Sequence, residues 1–292
     1  MTRDALTILA RAGYAARGVV YLVIGGLAVQ AAFATGGGTT GSKGAIREMM
    51  SQPWGQFIVA LIAAGLIGYA IWRFTQAIYD ADDHGTDAKG IAIRAGLFVS
   101  ALTHSALAIY ALTLLGVGSG GSGSGEAGRN SAETWTATLL SQPYGQWLVG
   151  ILGAVVIGVG VAHTIKAKDT KFERYLDMDE QKMKIGRPIA IFGLVARGVV
   201  FVIIGGFFIA AAWQAQPEEA KSLGETLGTL QQQPYGSWLL GIVALGLIAF
   251  GLYSIMEAFY RVIPKPASAL PGRDSGAAEN AATEDYRRSV PR

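Results

Sequence analysis

Six long apolar stretches, separated by polar or glycine-rich segments, dominate the pattern along the chain. They run from Tyr14 to Ala34, Gly55 to Ile78, Ile91 to Leu115, Gly145 to Ile165, Ile189 to Trp213 and Gly236 to Tyr260. A helix needs about 20 apolar residues to cross hydrocarbon. Unpaired backbone is prohibitive in lipid, so the pattern predicts six transmembrane helices. Three shorter patterns precede the even-numbered spans: Ile46, Met49 and Met50; Trp135, Leu139 and Leu140; Leu223, Leu227 and Leu230. Their spacings of three, four and one fit one face of a short helix lying on the outer surface. Ser222 followed by Glu225 has the form of a capping box. Gly36 to Gly44 and Gly116 to Gly125 read as flexible linkers, and the Pro-, Ala- and charge-rich tail 264–292 as disordered.

Composition agrees with the bilayer. Only 15% of the 292 residues are charged, against 51% hydrophobic, and the mean hydropathy is +0.36. Soluble domains carry about 25% charged residues. The net charge of +3 balances 24 basic against 21 acidic residues, too even a ratio to point to nucleic acid. The absence of cysteine excludes disulfides and thiolate chemistry. Basic residues set the orientation. Eighteen of the 24 fall at the N-terminus, the second and fourth connections and the tail, among them the run from Lys166 to Arg187, and four (Lys43, Arg47, Arg129 and Lys221) on the opposite side. The positive-inside rule places both termini in the cytoplasm of a multi-pass protein of the bacterial cytoplasmic membrane.

The spans are also repeated. Arg17-Gly18-Val19-Val20-Tyr21 through Gly25-Gly26 returns 180 positions later as Arg197-Gly198-Val199-Val200-Phe201 through Gly205-Gly206. Gln52-Pro53-Trp54-Gly55 recurs as Gln142-Pro143-Tyr144-Gly145 and Gln233-Pro234-Tyr235-Gly236. The pattern resembles the bacterial membrane family catalogued as domain of unknown function 1206, with three tandem two-helix copies. The resemblance implies a fold and a membrane location, and no activity. Repeat 1 covers residues 1–83, repeat 2 residues 84–170 and repeat 3 residues 171–263. Each holds two spans, so all point the same way, and the expected fold is an all-α integral membrane bundle of three parallel hairpins about a pseudo-threefold axis. The second copy departs from the pattern: gapless alignment of Gly96 with Gly13 puts Ser100 at the place of Arg17, and a shift of one turn puts His104 there.

Proline at a helix's first turn wastes no hydrogen bond, and an aromatic beside it suits the headgroup level, so Trp54, Tyr144 and Tyr235 are expected as outer interface anchors. Small residues four apart on the second spans (Ala60, Ala64 and Gly68; Gly150, Ala154 and Gly158; Gly241 and Ala249) are expected to face neighbouring helices. Ionisable groups inside spans are functional candidates by default. Arg17, Arg73, His163 and Arg197, with Glu257, are expected to cluster at inner-leaflet depth, as an anion or anionic-lipid contact or as an interhelical lock. His104 and His163 stand at different depths, which argues against a haem, and His84 among Asp80, Asp82, Asp83 and Asp87 reads as a solvated acidic turn. No nucleotide loop, metal-binding His pair or nucleophile elbow is present, so no catalytic residue, cofactor or metal is assigned. The expected role is a non-catalytic structural or accessory membrane component, whose partners are the bilayer and anionic lipids and not nucleic acid. The alternative is a channel or small-solute transporter with a path along the axis. Reporter fusions test the orientation: those at Gln142 and Gln233 are expected to report the periplasm and those at Lys171 and Val262 the cytoplasm.

Overall fold

The computed structural model describes residues 3–33, 38–117, 131–170 and 172–263. The tail 264–292, the segment 118–130 and residues 34–37, which include the expected linkers in part, lie outside the described residues. The chain forms α1 (Arg3–Phe33), α2 (Ser42–Ser51), α3 (Gly55–Tyr79), α4 (Ala88–Leu114), α5 (Ser131–Leu140), α6 (Gly145–Lys168), α7 (Glu180–Gln214), α8 (Leu223–Gln231) and α9 (Gly236–Tyr260). Six of these, α1, α3, α4, α6, α7 and α9, are long and apolar enough to cross a membrane. Among the described residues no β-sheet forms. A single antiparallel bridge ties Leu176 to Arg261, with the Asp177 amide donating to the Tyr260 carbonyl at 2.8 Å and Val262 to Tyr175 at 2.9 Å.

The short helices α2, α5 and α8 stand where the apolar spacing puts them. Ile46 and Leu227 are fully buried, and the Ser222 amide donates to Glu225 Oε2 at 2.7 Å, completing the capping box. In α5, by contrast, Trp135 stays exposed.

The Gln-Pro-aromatic-Gly element is built differently from the helix start its proline suggested. The proline lies one residue before the N-cap, inside a tight turn. The Gly55, Gly145 and Gly236 amides donate to the Gln52, Gln142 and Gln233 carbonyls at 2.8, 2.9 and 2.7 Å. Proline takes the second position and the aromatic the third, at φ 64°, 62° and 59° for Trp54, Tyr144 and Tyr235. This left-handed backbone costs an L-residue about 1–2 kcal/mol. The following residue must be glycine, because a β-carbon there would collide with a carbonyl of the preceding short helix (Met50, Leu139 or Gln231). The sharp reversal leaves Trp54, Tyr144 and Tyr235 83%, 81% and 84% exposed at the helix starts.

The spans pack in the order α4–α3–α1–α9–α7–α6. A ring of three hairpins has six edges; five form, and among the described residues α4 and α6 make no comparable interface. A closed pseudo-threefold bundle is therefore not established. The most extensive edges join repeats rather than the two spans of one repeat, and they share one device. A β-carbon at Gly18 would sit 2.9 Å from the Gly251 carbonyl oxygen, and one at Gly198 2.7 Å from that of Gly160. Gly25 meets Ala244 and Gly205 meets Gly153 in the same way one turn pair further on. At the α3–α4 edge the register replaces these pairs by alanines, Ala101 with Ala70 and Ala108 with Ala63, all buried. Close backbone approach supplies the dispersion contacts that hold helices together where hydrophobicity gives no net drive.

The small-residue stripe expected for the second spans is displaced. Ala60, Ala64, Ala154 and Gly158 are exposed, and only Gly68, Gly241 and Ala249 are buried. Gly153 and Gly160, not Gly150 and Gly158, face a neighbour closely, because the interface runs along positions seven apart. Gly160→Leu is expected to lower stability by about 1–3 kcal/mol through overpacking, while Gly158→Leu, with no atom near its absent β-carbon, leaves the unfolding midpoint in detergent unchanged.

Candidate functional site

Polar side chains from all six spans converge inside the bundle. Ala16, next to Arg17, touches Gly65, and Ala196, next to Arg197, touches Gly246. Gly65 stands ten residues from the N-terminal end of α3 and fourteen from its C-terminal end, the one nearer the basic connections. Both arginines therefore start near mid-span. Side chains on a helix lean toward its N-terminus, so both guanidinium groups reach back toward the basic end.

Arg17 is buried and fully engaged. Nε donates to Ser254 Oγ at 3.1 Å, Nη2 to Glu257 Oε2 at 2.5 Å and Nη1 to the Tyr69 hydroxyl. The other Glu257 oxygen accepts from Arg261 Nη1 at 3.0 Å, and Arg261 Nη2 donates to Asp82 Oδ2 at 3.0 Å. Gln76 Nε2 donates to the same Asp82 oxygen at 2.5 Å, and its own Oε1 accepts from Arg73 Nη1 at 3.0 Å. Arg73 Nε closes the loop on the Tyr69 hydroxyl at 2.8 Å. Seven side chains thus form a continuous hydrogen-bonded ring. It ties the end of repeat 1, at Asp82, to the end of repeat 3, at Arg261.

A second group adjoins it. Arg197 Nε donates to the Tyr21 hydroxyl at 3.1 Å and Nη1 to His163 Nε2 at 2.5 Å, with its guanidinium carbon 4.7 Å from the centre of the Phe250 ring. His163 Nδ1 lies 2.7 Å from the Val159 carbonyl, which can only accept, so the proton sits on Nδ1 and Nε2 receives the arginine. The same argument puts the His104 proton on Nδ1, 2.7 Å from the Ser100 carbonyl, and its ring meets Tyr69 edge-on at 4.6 Å. Lys166 Nζ lies 3.5 Å from the Tyr253 hydroxyl.

The charge balance follows. Arg17, Arg73, Lys166, Arg197 and Arg261 face Glu257 and Asp82. Arg17 and Arg261 hold both carboxylates. Among the described residues Arg73, Lys166 and Arg197 have no carboxylate within ion-pair distance, and all three are only partly buried.

The acidic turn is spent on structure. Asp80 accepts from the His84 and Gly85 amides at 2.8 and 2.7 Å, Asp87 caps α4 through the Gly90 amide at 2.9 Å, and Asp82 belongs to the ring. Burial opposes ionisation of Asp80, yet these two amides, helped by the Arg94 and His84 charges, hold its carboxyl below the usual range. Arg94 caps α3 by donating to the Ala77 and Ile78 carbonyls, each at 2.9 Å.

The family model described as Domain of Unknown Function (DUF1206) matches residues 12–80, 95–168 and 192–261. The chain belongs to this family. Each DUF1206 match is one two-helix repeat, and the matches start at offsets of 83 and 180, the register that pairs Gly13 with Gly96 and Gly193. The chain is also 36% identical over 254 residues to "Uncharacterized protein YxxB" of Bacillus subtilis (strain 168), covering 86% of this chain and 90% of that protein. No solved structure matches it.

The DUF1206 register explains where the polar residues stand. Ser100 takes the place of Arg17 and Arg197, and His104 that of Tyr21 and Phe201. On the second spans Arg73, His163 and Ser254 are equivalent, and one turn later so are Gln76, Lys166 and Glu257. The structure brings together all four expected anion-contact candidates, Arg17, Arg73, His163 and Arg197, with His163 the neutral acceptor of Arg197. It assigns Arg17 to an ion pair and adds Lys166 and Arg261, which the sequence presents as ordinary residues of the basic side, and Asp82, which the sequence places in a solvated turn and whose side chain is instead buried against Arg261. Reading the repeat one turn past Arg73 and His163 is the signal that finds Lys166. Removing one partner of a buried ion pair costs about 3–5 kcal/mol. Glu257→Gln is expected to lower stability by that amount in detergent unfolding, whereas Glu173→Gln, which breaks the half-exposed pair with Arg187, leaves the midpoint unchanged.

Proposed function

We propose that this protein is a non-catalytic component of the bacterial cytoplasmic membrane, with both termini in the cytosol, that holds the phosphate of an anionic lipid inside its bundle. The observation that carries the reading is the presence of three cations, Arg73, Lys166 and Arg197, with no carboxylate partner among the described residues. A cation within a span needs a counter-charge or contact with water, and guanidinium groups bind phosphate oxygens bidentately. Arg73 uses three of its five N–H groups on Tyr69 and Gln76, Arg197 two on Tyr21 and His163, and Lys166 one on Tyr253, so each keeps further donors for such a ligand. Arg17, expected as a contact, serves instead to fix the wall of the site. Trp54, Tyr144 and Tyr235, with the exposed Trp147, Trp213 and Trp238, suit a headgroup-level belt at the opposite end.

The reading of a solute path along the axis finds less support. Ile24, Leu247 and Phe250 fill the interior without gaps to solvent, and five edges cannot seal a pore from lipid. A hydrogen bond to a charged group contributes about 1.5–3 kcal/mol. Arg73→Gln/Arg197→Gln is therefore expected to weaken retention of a phosphatidylglycerol adduct at least tenfold in native mass spectrometry, with Arg187→Gln as the unaffected control. Equal adducts in the double variant and the parent would overturn the proposal.

A further inference from the structure

The missing edge between α4 and α6 has a cause in the sequence of the second repeat. In repeat 1 the two spans close on each other through Gly13 against Tyr69 and Ala16 against Gly65. In repeat 3 the equivalent residues make the same two contacts, Gly193 against Phe250 and Ala196 against Gly246. In repeat 2 the register places Gly96 opposite Val159 and Val99 opposite Val155. An alanine–glycine pair that lets backbones touch has become a valine–valine pair. The two valines are 49% and 46% exposed, and Gly96 has no atom near the place of a β-carbon. The edge that joins the spans of one repeat is absent only in the repeat whose small pair is lost.

The gap leads to the cations. His163 and Lys166 lie on α6, one and two turns beyond Val159, and Ser100 and His104 follow Val99 on α4. On one lip His104 meets the ring of Tyr69, the partner of Arg17 and Arg73, edge-on at 4.6 Å, and on the other His163 accepts from Arg197 at 2.5 Å and Lys166 Nζ lies 3.5 Å from the Tyr253 hydroxyl, so both lips border the same cluster. The lips themselves are apolar. We infer that the seam between α4 and α6 is a lateral entrance from the bilayer: an anionic phospholipid enters through it, headgroup toward Arg73, Lys166 and Arg197 and acyl chains between Val99 and Val155. The inference rests on the anionic-lipid reading of the cluster. It commits to a lipid and not a soluble phosphate because the gap is lined by valines and faces the surface that the spans present to hydrocarbon. Charge complementarity selects an anionic headgroup, since among the described residues five cations meet two carboxylates.

The experiment uses the full chain, reconstituted in nanodiscs of phosphatidylcholine doped with phosphatidylglycerol and released for native mass spectrometry. Val99→Trp/Val155→Trp fills the seam without touching the cluster and is expected to lose at least nine-tenths of the phosphatidylglycerol adduct. Ala154→Trp, on the exposed face of α6, keeps it. The chain contains no cysteine, so Val99→Cys/Val155→Cys allows the seam to be bridged after folding by a reducible bifunctional reagent. Bridging before exposure to lipid is expected to abolish the adduct, and reduction to restore it. A seam-filled or bridged protein that still takes up the adduct, while Arg73→Gln/Arg197→Gln loses it, would overturn the entrance and leave the lipid reading standing. An adduct that survives the arginine substitutions would overturn both. Thermal stabilisation of the parent by inorganic pyrophosphate, with no lipid adduct, would assign the cluster to a soluble phosphate and overturn the entrance.

Discussion

Helices in lipid gain nothing by hiding apolar side chains from one another, so what joins them is how closely their backbones approach. In this protein the approach is set by single small residues at fixed places in a repeat. One set, Gly18, Gly25, Gly198 and Gly205 with their partners, joins successive repeats. A second set, Ala16 with Gly65 and Ala196 with Gly246, joins the two spans within a repeat. The first set has a counterpart in every repeat, with alanine in place of glycine at the α3–α4 edge. The second is missing from repeat 2. The open side of the bundle follows from that one difference.

The charged interior depends on the same frame. Arg17 and Arg197 start close to mid-span because Ala16 and Ala196 lock against the second spans there. Their side chains lean toward the basic end, where Tyr69, Glu257 and His163 receive them. Glu257 satisfies two arginines at once, and Asp82 brings a connecting turn into the same ring. This arrangement neutralises the back wall and leaves the cationic excess on Arg73, Lys166 and Arg197, toward the open edge. Equivalent positions have thus diverged in chemistry while keeping their place: arginine, histidine and serine in one register, glutamine, lysine and glutamate in the next.

At the opposite end the three copies have stayed alike. Each second span begins with a tight turn whose third residue is an exposed aromatic at positive φ, followed by a glycine pressed against a short helix. The backbone cost of the left-handed aromatic is offset by a reversal sharp enough to dock the short helix on the span that follows. The ring itself stays exposed in all three copies.

Six spans, three short helices, the capping box, the triplicated register and the residue types that gather in the interior are legible along the chain. These follow from local periodicity, from the length needed to cross hydrocarbon and from self-similarity, all of which are one-dimensional. Span ends were less legible. The helical first spans of repeats 1 and 3 run well before the apolar stretch, through Arg3 to Gly13 and Glu180 to Pro188, because polar residues continue a helix as readily as apolar ones. Which small residues face a neighbour, which arginine is paired and which is free, and that Asp82 and Lys166 belong with Arg73 were decided only by the tertiary structure. Periods of three, four and seven place several glycines equally well on a helix face, and a carboxylate 240 positions from Arg17 can neutralise it only once the first and last spans lie side by side.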